Sequence, residues 1–204
     1  MIAIVDYGLG NVDAFATIYK RLNIPATLAT GPADIERAER VILPGVGAFD
    51  RAMTRLNDSG MRAALDHAVL RGGKPVLGVC VGMQMMAERS EEGVLPGLGW
   101  IAGQVKRFDC NGARGLMPLP HMGWNDVQPL RGEGLFRGLE SAARFYFLHS
   151  YYFAAAEREH VLATTDYACA FASSVGSGRI FGVQFHPEKS HGWGTQLLKN
   201  FAEV

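Results

Sequence analysis

Residues 75–84 read PVLGVCVGMQ. Pro75 to Cys80 is a short apolar run bounded by Gly72 and Gly73, and it reads as a buried strand. From Gln84 to Arg89 the pattern turns helical. Between the two, Cys80 stands in G-x-C-x-G, with Gly78 and Gly82 two residues away on either side. A chain that leaves a strand and enters a helix in one sharp turn projects the corner residue clear of the sheet, in a strained backbone conformation. A Cβ at either flanking position would collide with that turn, so glycine fits both. The helix N-terminus behind the cysteine favours a thiolate and offers N–H groups to an oxyanion, Val81 N–H first. Taken alone, the same segment also fits a buried, inert thiol among small neighbours, because short motifs arise by chance.

The flanking sequence repeats the strand-then-helix alternation. MIAIVD is a first strand running into the turn-rich DYGLGN, and Val12 to Leu22 is a helix with Asn11 as candidate N-cap. Ala26 to Ala29 and Arg40 to Leu43 are further strands, the latter closed by PGVG. Helical stretches follow at roughly Ala48 to Leu56 and Met61 to Arg71. After Gly97 the texture changes: GWIAGQVKRF, GWNDVQPL, RFYFLHSYYF, HVLATTDY and RIFGVQF are strand-like with little helix between them, and a last helix covers about Gly194 to Phe201. The pattern predicts an α/β fold: an open, twisted, mostly parallel sheet flanked by helices, with mixed or antiparallel strands added in the second half.

At 204 residues and 48% hydrophobic, the chain suffices for one domain, 1–204, with a sizeable core. Twenty basic residues balance twenty acidic ones, which argues against a nucleic-acid or membrane surface. Cys80, Cys110 and Cys169 are few, odd in number and without zinc-like spacing, so neither a disulfide framework nor a metal site is expected. The start lacks a signal-peptide pattern and no uncharged stretch reaches membrane-spanning length. The expectation is a cytoplasmic protein with no cofactor.

A cysteine nucleophile needs a base, and six histidines compete. His67 lies in a helix among polar neighbours and His160 in the charged EREH turn, so both are expected at the surface. His186 follows the strand RIFGVQF, where functional residues of open α/β sheets collect. Pro187 stiffens the turn, and Glu188 could hold the imidazole tautomer. Cys80, His186 and Glu188 thus make a candidate triad, although H-P-E by itself also fits a surface turn.

LGVCVGMQ followed by GVQFHPEKS resembles the class I (triad) glutamine amidotransferases. DYGLGN, ILPGVGAF, SEEGVLPGLGW, PHMGWN and YFLHSYY narrow the resemblance to glutaminase subunits of imidazole glycerol phosphate synthase, the HisH type, along the whole chain. That family's elbow reads GICLGMQ; here Val79 and Val81 are conservative changes. The resemblance implies that Cys80 attacks glutamine, His186 moves the proton and Glu188 orients His186. It implies an oxyanion hole from backbone N–H groups of Val81 and of Val46 or Gly47. It assigns Gln84, Glu92 and the segment His149, Ser150 and Tyr151 to the amino-acid end of the substrate, with no acid–base role for His149, read as a half-buried strand residue. It implies a partner, a separate (βα)8-barrel synthase subunit of histidine biosynthesis that receives ammonia, with Asn11, Trp124, Tyr146 and Lys189 at the interface. From their residue types alone, these four read equally as a helix cap, two core aromatics and a solvated lysine.

Rival readings remain at this level. AFDRAMTRLNDSGM, RFYFLHSYY and SHGWGTQLLKNF are similar to a related glutaminase branch supplying ammonia for sugar amidination in surface-polysaccharide biosynthesis. The glutaminase of pyridoxal phosphate synthase fits PHMGWN and DYGLGN poorly. A non-catalytic scaffold would not need the intact triad, and a cysteine hydrolase or chaperone-like protein would not need Gln84 with Glu92.

Overall fold

A computed structural model describes residues 1–109 and 117–204, so Cys110 lies outside the described residues. The chain runs β1 (Ile2–Val5), α1 (Val12–Arg21), β2 (Ala26–Ala29), α2 (Pro32–Arg37), β3 (Arg40–Gly45), α3 (Phe49–Asp58) and α4 (Arg62–Asp66), which continues as a π-helical turn (His67–Arg71). Next come β4 (Val76–Cys80), α5 (Val81–Gln84), β5 (Arg89–Ser90) and β6 (Gly103–Arg107). The second half contributes β7 (His121–Asp126), β8 (Gln128–Pro129), β9 (Arg144–His149), β10 (Tyr151–Ala155), β11 (Val161–Tyr167), β12 (Cys169–Ser177), β13 (Ile180–Val183) and α6 (His191–Phe201).

Among the described residues, eleven strands share one sheet. Its first half is parallel in the order β2-β1-β3-β4-β13. β1 and β4 are buried at every position, as continuous apolar runs covered on both faces should be. α3 turns Phe49, Ala52, Met53 and Leu56 inward, the i, i+3, i+4, i+7 spacing of one helix face. Beyond β13 the sheet continues antiparallel through β12, β10 and β6. This is the α/β arrangement read from the sequence.

Several details differ. Two of the strand-like segments extend the sheet only in part: they supply β8 and β10 to it, while β7 and β9 pair with each other as a separate antiparallel ribbon. One face of the ribbon lies on the aromatic core, with Phe145 stacked on Phe185 at 4.0 Å and Phe147 edge-on to Phe171, so it packs face-down and not edge-on. α5 starts directly after Cys80 and ends at Gln84, whereas the pattern predicted helix from Gln84 to Arg89. The carbonyls of Met85, Met86 and Ala87 accept from Leu98, Trp100 and Gly99, which draws the chain off the helical path. α2 is too short for a periodic signal, and β12 carries small and polar residues that do not advertise a strand. Asn11 stands at the N-cap of α1, yet its side chain makes no capping bond; only its carbonyl accepts, from Ala14 and Phe15. His67 is exposed as expected, but His160 is half-buried with Nδ1 sealed from solvent.

The two glycines around Cys80 are required for different reasons. A Cβ on Gly78 would lie 2.7 Å from the Gly82 carbonyl oxygen, within the turn itself. A Cβ on Gly82 would lie 1.9 Å from the Leu43 carbonyl oxygen, on the neighbouring strand β3. Gly82→Ala must therefore push α5 off β3, and is expected to cost about 3 kcal/mol by overpacking. Urea unfolding checks this; a loss below about 1 kcal/mol would mean that strand and helix separate easily.

Candidate active site

The parallel half of the sheet builds the site. β3, β4 and β13 are neighbours and end at the same edge, with Gly45 opposite Cys80 and Val79 opposite Val183. Side chains at carboxyl ends of such strands share a crevice. Cys80 takes φ 55° and ψ −113°, a left-handed conformation for a residue with a Cβ, and α5 begins at the next residue. That is the strained corner expected from G-x-C-x-G.

The chain from β13 carries His186 to the same edge, where its N–H donates to the Tyr146 carbonyl at 2.8 Å. Pro187–Lys189 form a single 3-10 turn. Ser190 holds this turn: its hydroxyl donates to the His186 carbonyl at 2.6 Å and accepts from the Tyr146 N–H at 3.0 Å, fully buried. The sequence reading passed over Ser190 because a serine after HPEK looks like any turn residue.

His186 Nδ1 lies 2.9 Å from Glu188 Oε1, with the two side chains 4% and 2% exposed. Burial alone would lower the imidazole, but hydrogen bonds to Cys80 and Glu188, with the charges of both, outweigh it and raise His186 to about 10. The ring thus holds its proton at neutral pH, with Nδ1 committed to Glu188 and Nε2 left for Cys80.

A cavity of about 340 Å³ opens over the cysteine. Of the catalytic, oxyanion and substrate residues read from the sequence, all but Glu188 line it, and Glu188 sits behind His186. Val46 and Gly47 are exposed at its rim, Gly47 with φ +84°. Gln84 is buried and uses its Nε2 twice, donating to the Tyr151 carbonyl and to Gln184 Oε1, each at 3.1 Å. Its Oε1 is thereby left as an acceptor. Glu92 is half-buried, and one of its oxygens accepts from Phe49 N–H at 2.9 Å, capping α3 where Ala48 cannot.

His149 is buried, at 6% exposure, where half-burial was expected. The reason is β7: the register sets His121 directly opposite His149. The polarity of the chain of bonds is forced. His149 Nδ1–H must donate to the Tyr151 carbonyl at 2.8 Å, so its Nε2 accepts from His121 Nδ1–H at 2.9 Å. His121 Nε2 in turn accepts from the Asn125 amide at 3.1 Å. Burial dominates in lowering His121 to about 4 and His149 to about 3, so both rings are neutral. His121 escaped the sequence reading because only strand register reveals its partner.

Of the four residues that the resemblance puts at an interface, Trp124 and Tyr146 face each other in the ribbon and Asn11 lies at the start of α1. Met122 and Trp124 point outward opposite Leu148 and Tyr146, with Met122, Trp124 and Leu148 exposed. Trp124 stacks on His191 with rings 5.4 Å apart, and Lys189 Nζ lies 5.9 Å over the Tyr146 ring. Trp124 is therefore no core aromatic; Asn11 and Lys189 are exposed, and Tyr146 is half-buried. Among the described residues no group of three His, Cys, Asp or Glu side chains is placed to hold a metal ion, and no helix is long and apolar enough to cross a membrane. The arrangement suits covalent attack by sulfur on an acyl carbon, with a protonated imidazole ready for the leaving group.

The family model for glutamine amidotransferase class-I matches residues 3–204. The imidazole glycerol phosphate synthase subunit HisH of Bdellovibrio bacteriovorus is 55% identical, over 100% of both chains. That of Leptospira interrogans is 47% identical, again over 100% of both. Among solved structures, a glutamine amidotransferase aligns with TM-score 0.74 at 20% identity, covering 100% of this chain and 99% of its own. At that identity the likeness speaks for the fold.

Proposed function

The chain belongs to the class-I glutamine amidotransferases and is a glutamine-hydrolysing enzyme subunit, and on that premise we propose that it is the glutaminase of an imidazole glycerol phosphate synthase. The observation that carries this reading is the 55% identity, end to end, with a chain of that name. In this reading Cys80 Sγ attacks the side-chain carboxamide of L-glutamine, and the negative charge gathers on the former carbonyl oxygen. We assign Val81 N–H and an N–H of Val46 or Gly47 to that oxygen, and all three residues line the pocket. The C–N bond breaks as His186 gives its proton to the leaving nitrogen, and ammonia departs from a thioester. His186, now neutral, takes a proton from water; the hydroxide displaces sulfur and releases glutamate. Glu188 fixes the ring throughout. The free Gln84 Oε1 and the Glu92 carboxylate suit the substrate ammonium, and the backbone of His149, Ser150 and Tyr151 its carboxylate.

Free ammonia at neutral pH is mostly ammonium, a poor nucleophile, so a shielded route to the acceptor is needed. We assign that route to a (βα)8-barrel subunit that makes imidazole glycerol phosphate and AICAR. The outward face of the ribbon supports a partner at this place: Met122, Trp124 and Leu148 form an exposed apolar patch beside the pocket mouth. Tyr146 and Lys189 extend it with polar groups, and the exposed Asn11 is assigned to the same interface. The pathway carries a cytoplasmic location with it, and residues 1–204 act as one glutaminase domain.

Introducing the gene into a histidine auxotroph that lacks its glutaminase subunit, but keeps the barrel subunit, is expected to restore growth without histidine. Failure to grow, with glutamine hydrolysis intact in the purified chain, would transfer the protein to the sugar-amidination branch.

A further inference from the structure

The hydrogen bonds beneath the pocket have only one consistent polarity, and from it we infer that Gln184 is a further catalytic residue, donating its amide N–H to the Cys80 sulfur. The inference rests on Cys80 being the nucleophile. The anchor is the Tyr151 carbonyl, which can only accept. Gln84 must therefore present Nε2 to it, at 3.1 Å, and the second hydrogen of that nitrogen meets Gln184 Oε1 at 3.1 Å. Gln184 has then committed its oxygen, and its own Nε2 faces Cys80 Sγ at 3.8 Å. Turning over the Gln184 amide would set two NH₂ groups against each other. Turning over Gln84 as well would set its oxygen against the Tyr151 carbonyl. His149 Nδ1–H pins the same carbonyl at 2.8 Å. Gln184 is fully buried, so no solvent replaces any of these bonds.

The sulfur sits between opposite partners. The Leu148 carbonyl, 3.9 Å away, can serve only the S–H of the neutral thiol. Gln184 serves the anion, and hydrogen bonds to a charged acceptor are the stronger kind. Gln184 thus biases the sulfur towards its nucleophilic form and stabilises it again when the thioester is cleaved. It holds this place because it lies one residue past β13, directly beside the strand that ends in Cys80.

Iodoacetamide reads the thiolate directly. Labelling rates of the full chain are compared near pH 6 and near pH 9 for the parent, Gln184→Leu and Gln84→Met, with the label located by peptide mapping. Gln184→Leu should slow labelling of Cys80 about tenfold near pH 6 while leaving it within about twofold near pH 9, where cysteine thiols in general ionise readily. Gln84→Met frees the Gln184 amide to turn over and should give a smaller loss of the same pH signature. If Gln184→Leu fails to fold, Gln84→Met decides: the signature supports the assignment, and its absence overturns it. Parent-like rates near pH 6, or equal slowing at both pH values, overturn it too. Glutamate release that persists in Cys80→Ala overturns the nucleophile reading itself, and this inference with it.

Discussion

Cys80→Ala is expected to release no measurable glutamate from glutamine, a fall of at least about 10⁴-fold in kcat, while the protein still folds and still binds the proposed barrel subunit. The size follows from the lack of a second route. His186, the other ring in the pocket with a proton to move, is tied to Glu188 and has no sulfur left to serve. Gln84 and Gln184 are amides occupied with each other. Direct attack by water would replace sulfur with a much weaker nucleophile and forgo the thioester that splits the reaction into two easier steps. Folding survives because alanine fits any space that a cysteine side chain fills. The left-handed φ of 55° is strained for either residue, so the substitution adds no backbone cost. Binding survives because the exposed ribbon face lies outside the elbow. Glutamate release in the presence of the barrel subunit and its ligand, with size-exclusion chromatography of the mixture, checks both halves. Residual hydrolysis at a tenth of the parent rate would remove Cys80 from the mechanism.

What the sequence disclosed tracks how local each signal is. The elbow was legible because strand, glycine pair and cysteine are contiguous, and His186 with Glu188 because they are two residues apart. The parallel half of the sheet was legible because fully buried strands are unbroken apolar runs. Gln184, Ser190 and His121 were not, since each acts through a partner fixed by tertiary packing: Cys80 from the neighbouring strand, Tyr146 from β9, His149 across the ribbon. The end of α5 was not legible for the same reason, because loop residues 98–101 bind the carbonyls of Met85, Met86 and Ala87 just beyond it. Glu92 shows a milder form: the resemblance implies a substrate contact, but its bond to the first turn of α3 emerges only when the two segments meet. Balanced charge argued against a nucleic-acid or membrane partner, yet carried no signal of the apolar ribbon face, which depends on β7 and β9 alternating in register.

Acidification from pH 7 to pH 4 is expected to remove most of the protein's stability, through two histidines to which the proposed mechanism gives no proton to move. His121 and His149 have lowered values in the folded chain, about 4 and about 3, chiefly because burial penalises the imidazolium. The unfolded chain binds these protons near 6.5, so below that pH it gains protons that the folded chain refuses. The sign is therefore a loss of stability as pH falls, beginning near 6.5 and continuing to the folded values. By pH 4 each ring contributes a loss of about 3 kcal/mol, and the pair about 6, comparable with the whole net stability of a domain. The hydrogen-bond chain adds to the effect, since protonating His149 Nε2 sets it against the N–H of His121. His186 works in the opposite sense: its value is raised, so its contribution is complete below about 6.5 and is lost as pH climbs towards 10. Stability should therefore peak close to pH 6.5 and fall on both sides, for unrelated reasons. Urea midpoints measured from pH 4 to pH 8 test the acid arm. His121→Phe keeps the stacking on Phe147 and Tyr167 and cannot titrate. It should start less stable at pH 7, because His149 Nε2 loses its donor, yet lose about 3 kcal/mol less on acidification. An acid arm of unchanged depth in that variant would place the vulnerable protons on other groups.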